Sequence, residues 1–226
     1  MKLDWPNCSN VRDLGGLSVG DQHVTRHGAL IRADNLDQLT AVGRVAVEAV
    51  GPSLILDVRA SWEAAMFVSP FATSAVYLNA PVGVDGQADA HTVLEDYLLI
   101  VNHGQDRIVA ADRAIADAPP GPVIVHCHAG RDRTGIVVAI ILKAAGVSTR
   151  DVTEDYAISP LTDPQVMHEL MEHIDQTRGG AGRYLLDEGL HPSQLSAISH
   201  RLVAENPGSG VIRTAWSPER GGRSRQ

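Results

Sequence analysis

The chain has 226 residues, 44% apolar and 20% charged, with 27 acidic against 19 basic side chains and a formal net charge of −8. That apolar share is enough for a buried core and excludes wholesale disorder, and the length fits one domain with at most an appendage. The acidic balance argues against a nucleic-acid partner, since no basic run or basic-aromatic interleaving opposes it.

Two cysteines, Cys8 and Cys127, make no disulfide framework and fit a reducing, cytoplasmic setting. The opening MKLDWPNCSN has no apolar stretch of the signal-peptide kind, so export is expected only by a route without one. The apolar run 136–142 is far too short to span a bilayer, and no integral membrane contact is expected.

In chain order, residues 1–22 form an irregular lead-in with a turn at Gly15-Gly16. Residues 29–32 make a short strand. A helix is expected over 34–50, with Thr40 as a possible N-cap for its second part and Gly51-Pro52 as its stop. The apolar run 53–56 is a buried strand that leads into Asp57-Val58-Arg59. Residues 75–78 make another strand, and 81–91 a loop rich in Gly and Asp. Helical patterns cover 93–118, broken near Gly104, and Pro119-Pro120-Gly121 ends them. Tyr97, Leu98 and Ile100 fall on the inner side of this stretch, which suits a lid or, more simply, core.

The strand 123–125 leads straight into HCHAGRDRTG, residues 126–135. Residues 135–145 are apolar nearly all round and predict a buried helix. Ser148 caps a helix to about residue 158, with Asp151 in the capping-box position. Thr162 is expected to cap the next helix, where Val166, Leu170 and Ile174 share a face. Gly179-Gly180 breaks it, and two shorter helices follow, the last starting at Pro192. One domain is expected over 1–206 and a disordered tail over 207–226.

Strands alternating with helices give an α/β class with a mostly parallel central sheet flanked by helices. Ligands on such sheets lie beyond the carboxyl ends of the strands. Both Asp57-Val58-Arg59 and the segment 126–135 lie at such ends and are expected to share one cleft.

Three readings compete for residues 126–135: a nucleophile in an anion cradle, a metal site, or an ordinary strand-to-helix turn. Strand, tight loop and helix start together make an anion site, since successive backbone N–H groups and a helix N-terminus face the loop. His128, Ala129, Gly130, Arg131, Asp132 and Arg133 are the phosphate-binding candidates. Gly130 permits a backbone conformation closed to residues with a Cβ. Arg133 can grip two phosphate oxygens. The same positive field lowers a thiol pKa, so Cys127 is expected to be an activated nucleophile. Thr134 is expected to donate a hydrogen bond to the sulfur, and His126 to anchor the loop.

A leaving oxygen needs a proton. Asp132, inside the loop, is the first candidate for the general acid; Asp96 and Asp89 lie in a segment able to fold over the site. Zinc at His126-Cys127-His128 is disfavoured, because adjacent strand residues point to opposite sides and no second ligand pair has the usual spacing. No metal site is assigned. A sulfurtransferase loop lacks the Arg-Thr pairing, and an arsenate reductase needs further reactive cysteines where only Cys8 remains. A phosphate-binding module without turnover is the non-enzymatic alternative. Asp57 and Arg59 are supporting candidates, as loop-orienting groups or as the holders of Arg133. Cys8 is either a lone thiol or a reversible partner for Cys127.

These residues resemble the atypical bacterial protein-tyrosine phosphatases, whose cysteine loop carries its own aspartate and has the pattern HCxAGKDRTG. The resemblance extends to NVRDLGG at 10–16, to ILDVR at 55–59 with Glu63, and to Glu154-Asp155-Tyr156. It implies a cysteine phosphatase without metal or cofactor, with Cys127 as nucleophile, Arg133 as phosphate clamp and Asp132 as general acid. The implied substrates are phosphorylated proteins, phosphotyrosine above all, with dual-specificity or phosphoinositide activity as the alternative. The family's loop lysine, associated with phosphoinositide work, is replaced here by Arg131, which keeps the charge but changes its shape.

Overall fold

The computed structural model describes residues 1–84 and 91–206. In chain order its elements are β1 (Arg12–Asp13), β2 (Ser18–Val19), β3 (His23–Thr25), β4 (Leu30–Ala33), a 3-10 turn (Leu36–Gln38), α1 (Ala41–Val50), β5 (Leu54–Asp57) and α2 (Ser61–Met66). They continue with β6 (Tyr77–Asn79), α3 (Val93–His103), α4 (Gln105–Asp117), β7 (Val123–His126), α5 (Asp132–Ala144) and α6 (Thr149–Ala157). The last are α7 (Pro164–Arg178), α8 (Ala181–Asp187), α9 (Pro192–Leu202) and β8 (Val203–Glu205).

The central sheet has the order β1-β4-β7-β5-β6. β4, β7, β5 and β6 run parallel, and β1 joins antiparallel at the edge through Arg12 opposite Arg32. Parallel strands are covered on both faces, so they carry continuous apolar runs. Leu30, Leu54, Leu56, Val123 and Val125 enter the larger core beneath α3 to α9. Their neighbours Ile31, Ile55 and Ile124 enter a smaller core with Trp5, Val47 and Phe71. The alternation follows from the two-residue period of a strand. Helix α5 runs through the larger core, buried at every residue from Thr134 to Leu142.

The α/β class and the parallel sheet agree with the sequence expectation, and several local readings are corrected. The stretch 34–50 divides into the 3-10 turn and α1, with Thr40 capping α1 by accepting from Gly43 N–H. Helix α5 starts three residues earlier than its apolar run, so Asp132, Arg133 and Thr134 form its first turn. Asp163, not Thr162, caps α7; Thr162 Oγ1 instead donates to the carbonyls of Tyr156 and Ser159. Pro164 follows at the first helical position, where its missing N–H costs nothing. The lead-in, residues 23–25 and the segment after α9 form a second antiparallel sheet, β2-β3-β8, from strands of two or three residues. Such short runs carry no periodicity to find. The expected tail 207–226 lies outside the described residues.

Candidate active site

Strand β7 ends at His126 and α5 begins at Asp132, so residues 127–131 turn back over the carboxyl end of the sheet. Cys127 sits at the bottom of this loop, 2% exposed. Gly130 has φ +62°, and a Cβ there would stand 2.5 Å from the Ala33 carbonyl oxygen. Glycine is therefore required twice, for the left-handed turn and for the close approach.

The framework pulls the loop's carbonyls outward. His128 O accepts from Asn35 N–H at 3.0 Å. Ala129 O and Gly130 O accept from the Asn10 side-chain amide at 2.9 and 3.1 Å, and Gly130 O also accepts from Arg32 Nη2 at 2.8 Å. In a trans peptide the next N–H points away from the carbonyl. The N–H groups of Ala129, Gly130 and Arg131 therefore face the other way, into the cradle. Those of residues 128–131 donate to no backbone acceptor among the described residues. The N–H groups of Asp132 and Arg133 add to them, because a helix's first turn leaves its donors free.

Asp155 stands behind the loop. Arg12 Nε reaches its Oδ1 at 2.7 Å and Arg32 Nη1 its Oδ2 at 2.6 Å, all three residues being buried. Arg12 Nη1 also donates to Asn10 Oδ1. Burial and the neighbouring Arg32 charge pull the Arg12 guanidinium below its ordinary pKa, with Asp155 working against them. Two guanidiniums on one carboxylate leave a net positive charge under an anion cradle. The opening segment thus supports the loop through Asn10 directly and through Arg12 by way of Asp155.

Arg133 is held by Glu63, at the start of α2. Both terminal guanidinium nitrogens engage the carboxylate, Nη2 to Oε1 at 3.0 Å. Glu63 Oε2 also accepts from Ala60 N–H, which fixes it at the helix start. The Arg133 bond, helped by Ala60 N–H and the nearby guanidinium charges, holds the Glu63 carboxyl below its usual range despite its burial. Burial lowers the Arg133 pKa, but the Glu63 bond and the charges around it outweigh this and raise it.

Asp57 and Arg59 do not hold Arg133, contrary to one expectation from sequence. They pair with each other, Arg59 Nη2 to Asp57 Oδ2 at 2.6 Å, and both are fully buried. Arg59 Nη1 continues to Asn35 Oδ1, and Tyr77 O–H donates to Asp57 Oδ2. Burial raises the Asp57 pKa; the bonds from Arg59 and Tyr77 overcome it and bring it down. This knot sets where the chain leaves β5 for α2, and so supports Glu63 at one remove. It also ties to Asn35, whose N–H holds the loop.

His126 is fully buried, with Nδ1 3.3 Å from the Cys127 carbonyl and Nε2 3.9 Å from Asp57 Oδ2. Burial pushes its pKa down, which fits a neutral, anchoring ring. Thr134 Oγ1 is buried and makes no hydrogen bond among the described residues, so the expected bond to the sulfur is not formed in this structure. Cys8 is a free thiol that donates to Asp34 Oδ1 at 2.6 Å, and Cys127 is also free. Burial, then Asp34, push the Cys8 thiol pKa up.

Asp132 Oδ1 accepts from Tyr97 O–H at 2.7 Å, and Arg131 Nε lies 3.1 Å from both carboxylate oxygens. Tyr97 belongs to α3, so the expected inner face of that helix is core that also reaches the loop. A cleft of about 1220 Å³ opens beside Asp132 and Arg133, between α2 and the α3–α4 wall. Asp96 lines it too, while Asp89 lies outside the described residues. Arg32 and Asn35 carried no functional signal in the sequence. The one available hint was a charged residue at the end of an otherwise apolar strand.

A cradle of inward N–H groups, a buried thiol beneath it and a fixed guanidinium beside it can bind a tetrahedral oxyanion and attack it. The tyrosine phosphatase family model matches residues 3–163. The chain is 30% identical to a tyrosine-protein phosphatase of Nostoc commune, over 75% of this chain and 64% of that protein. It is 28% identical to the triple specificity protein phosphatase PtpB of Mycobacterium tuberculosis, over 76% of this chain and 74% of that one. The chain thus spans just under two thirds of the Nostoc relative's length. Since the family match runs from the lead-in that supports the loop, through the loop itself, to the Asp155 segment behind it, this chain belongs to the tyrosine phosphatase family.

Proposed function

We propose that the chain is a metal-independent cysteine phosphatase that hydrolyses phosphate monoesters, with protein phosphotyrosine as substrate. The observation that carries this reading is the orientation of the loop: its carbonyls are tied outward to Asn35, Asn10 and Arg32, which turns its N–H groups inward above Cys127. A ring of fixed donors is worth most where charge develops, because it needs no reorganisation during reaction.

In the first step Cys127 Sγ bonds to phosphorus and the phosphorus–oxygen bond to the leaving group breaks. The leaving oxygen takes a proton from Asp132. In the second step a water oxygen bonds to phosphorus, the sulfur–phosphorus bond breaks, and Asp132 takes the water's proton. Glu63 occupies the Nη1–Nη2 end of Arg133, so the phosphate meets the other edge, Nε and Nη2, without displacing Glu63. Thr134 Oγ1, lacking an acceptor among the described residues, is the candidate donor to sulfur as charge returns there.

Arg131 is already engaged by Asp132, and the cleft beyond the loop carries Glu63, Asp96 and Asp106 against Arg107 and Arg133. That balance favours a singly phosphorylated side chain over a polyphosphorylated headgroup. A thiol nucleophile needs reducing surroundings, which fits a cytoplasmic site of action. No helix among the described residues is long and apolar enough to cross a membrane.

The test is turnover of a phosphotyrosine peptide beside a phosphoserine peptide and a soluble phosphoinositide, in EDTA, with Cys127→Ser as control. Release from phosphotyrosine that the substitution abolishes is expected. Turnover by Cys127→Ser above a hundredth of wild type counts against the nucleophile. Phosphate binding without any turnover by wild type would leave a binding module.

A further inference from the structure

Two tyrosines form a directed chain that ends on the candidate general acid. Tyr97 O–H lies 2.7 Å from Asp132 Oδ1 and 2.8 Å from the Tyr156 hydroxyl, and both rings are buried, edge-on to each other at 82°. A phenol has one proton. If Tyr97 gives its proton to the carboxylate, Tyr156 must give its own to Tyr97. The order of donation is therefore Tyr156 to Tyr97 to Asp132. Burial raises both phenol pKa values, so both remain donors.

The consequence lies on the carboxylate. Oδ1 is taken by a donor that has no second proton and is itself pinned from behind. Reversing that bond would require Tyr156 to find another acceptor in the core. We propose that Tyr97, backed by Tyr156, is a positioning residue for Asp132: it occupies Oδ1 and confines the transferable proton to Oδ2. This rests on the reading of Asp132 as general acid.

The step then balances at named atoms. The bond from Oδ2 to its proton breaks as the leaving oxygen accepts it, and Tyr97 stabilises the carboxylate that results. In the second step the same Oδ2 regains a proton from the attacking water. The bond from Tyr97 is thus stronger after the first transfer than before it, and it drives proton donation.

Other groups also act on Asp132. Arg131 Nε lies 3.1 Å from both Asp132 oxygens and so does not distinguish them, Arg133 is the next residue along the chain, Glu63 lies across Arg133 on α2, and Asp96 and Arg107 share the cleft wall. The Cys127 thiol also acts on Arg133, and the Arg32 charge, paired with Asp155, acts on Tyr156. Tyr97→Phe leaves all of them in place and removes one oxygen atom.

The experiment measures kcat against pH for wild type, Tyr97→Phe, Tyr156→Phe and Asp132→Asn. Two substrates are used: phenyl phosphate, whose leaving group needs the proton, and p-nitrophenyl phosphate, whose leaving group needs it less. Wild type should lose activity on a basic limb that Asp132→Asn lacks. Tyr97→Phe should move that limb up by about one pH unit, the size of a single charge-assisted hydrogen bond. It should slow phenyl phosphate roughly tenfold at neutral pH and p-nitrophenyl phosphate less, as loss of help to a general acid does. KM should stay within about twofold of wild type. Tyr156→Phe should shift the limb the same way by less. An unmoved limb with equal losses on both substrates would show a merely structural tyrosine and overturn the proposal while leaving the phosphatase reading intact. A basic limb that persists in Asp132→Asn, or an inactive wild type, would overturn the reading of Asp132 and the proposal with it.

Discussion

Glu63 and Arg133 face each other fork to fork, with both guanidinium end nitrogens on both carboxylate oxygens. The pair joins the start of α2 to the first turn of α5. Replacing Glu63 by Gln leaves the side-chain shape and removes the charge that aims Arg133. KM for phosphotyrosine should rise several-fold and kcat should fall less, since binding loses its preformed partner. Stability should fall by about 1.5–3 kcal/mol at neutral pH, the scale of hydrogen bonds to charged groups. The sign with pH follows from the lowered Glu63 pKa. Its stabilisation is present above the unfolded carboxyl value near ~4.3 and disappears as pH falls through the lower folded value. Thermal unfolding of both proteins between pH 3 and 7 should therefore show a gap that closes on acidification. A gap that stays constant would mean that Glu63 contributes packing and no charge.

Asp155 is the hub of the support behind the loop, and its removal should cost more than the removal of either arginine. Asp155→Asn leaves Arg12 and Arg32 buried together without a full countercharge, a change of the kind that costs about 3–5 kcal/mol. Arg32→Met leaves Asp155 paired with Arg12, and leaves Gly130 O bonded to Asn10. It should cost about 1–3 kcal/mol. It also removes positive charge from beneath the cradle, so the thermal stabilisation that inorganic phosphate gives should shrink. Urea unfolding with and without phosphate measures both effects. Equal destabilisation by the two variants would remove Asp155 from the centre of the network.

The sequence and the structure agree most where one segment carries its own signal. Residues 126–135 held strand end, cysteine, glycine and arginine in one run, enough to place an anion cradle there, although the groups that orient its carbonyls come from Asn10, Arg32 and Asn35. The strands at β4, β5, β6 and β7 announced themselves by apolar runs between turn residues. The start of α5 was hidden because Asp132, Arg133 and Thr134 are polar, and an apolar pattern cannot mark a helical turn that faces a ligand. Glu63, Asn10 and Asp155 stood in segments that resemble the family's, but their contacts join residues as far apart as 143 positions. Separation of that kind leaves no trace in a local pattern. Tyr97 looked like core because it is core; only its hydroxyl reaches the loop.

Asp112 of α4 is fully buried, and neither carboxylate oxygen has a hydrogen-bond partner among the described residues. Burial alone raises its pKa well above the usual carboxylate range. A group whose folded pKa is raised binds its proton more tightly in the native state. The contribution of Asp112 to native stability is then greatest below the unfolded value near ~3.9 and declines as pH rises toward the folded value, by about 1.4 kcal/mol per pH unit. Asp112→Asn, the neutral isostere of the protonated acid, has no such slope. The variant should match wild type near pH 4 and unfold at a higher temperature at pH 7. Parallel melting curves across that range would show that Asp112 does not titrate on unfolding.

Trp62 lies on α2 at the rim of the cleft, 66% exposed, and Phe67 stands 6.1 Å from the His128 ring at the loop. A single apolar side chain on a surface needs no explanation. Two aromatic rings beside a site proposed to take phosphotyrosine do, because an aromatic surface grips flanking residues at small entropic cost. A small aryl phosphate fills only the loop, and a peptide extends to the rim. Trp62→Ala should therefore raise KM for a phosphotyrosine peptide about three- to tenfold, the cost of losing roughly 1 kcal/mol of contact, and change KM for p-nitrophenyl phosphate by less than twofold. Phe67→Ala, closer to the loop, should affect both substrates, because it also supports His128. Steady-state kinetics of the two variants on the two substrates separates rim from loop. An equal effect of Trp62→Ala on both substrates would place the peptide elsewhere, along the α3–α4 wall past Asp96 and Asp106.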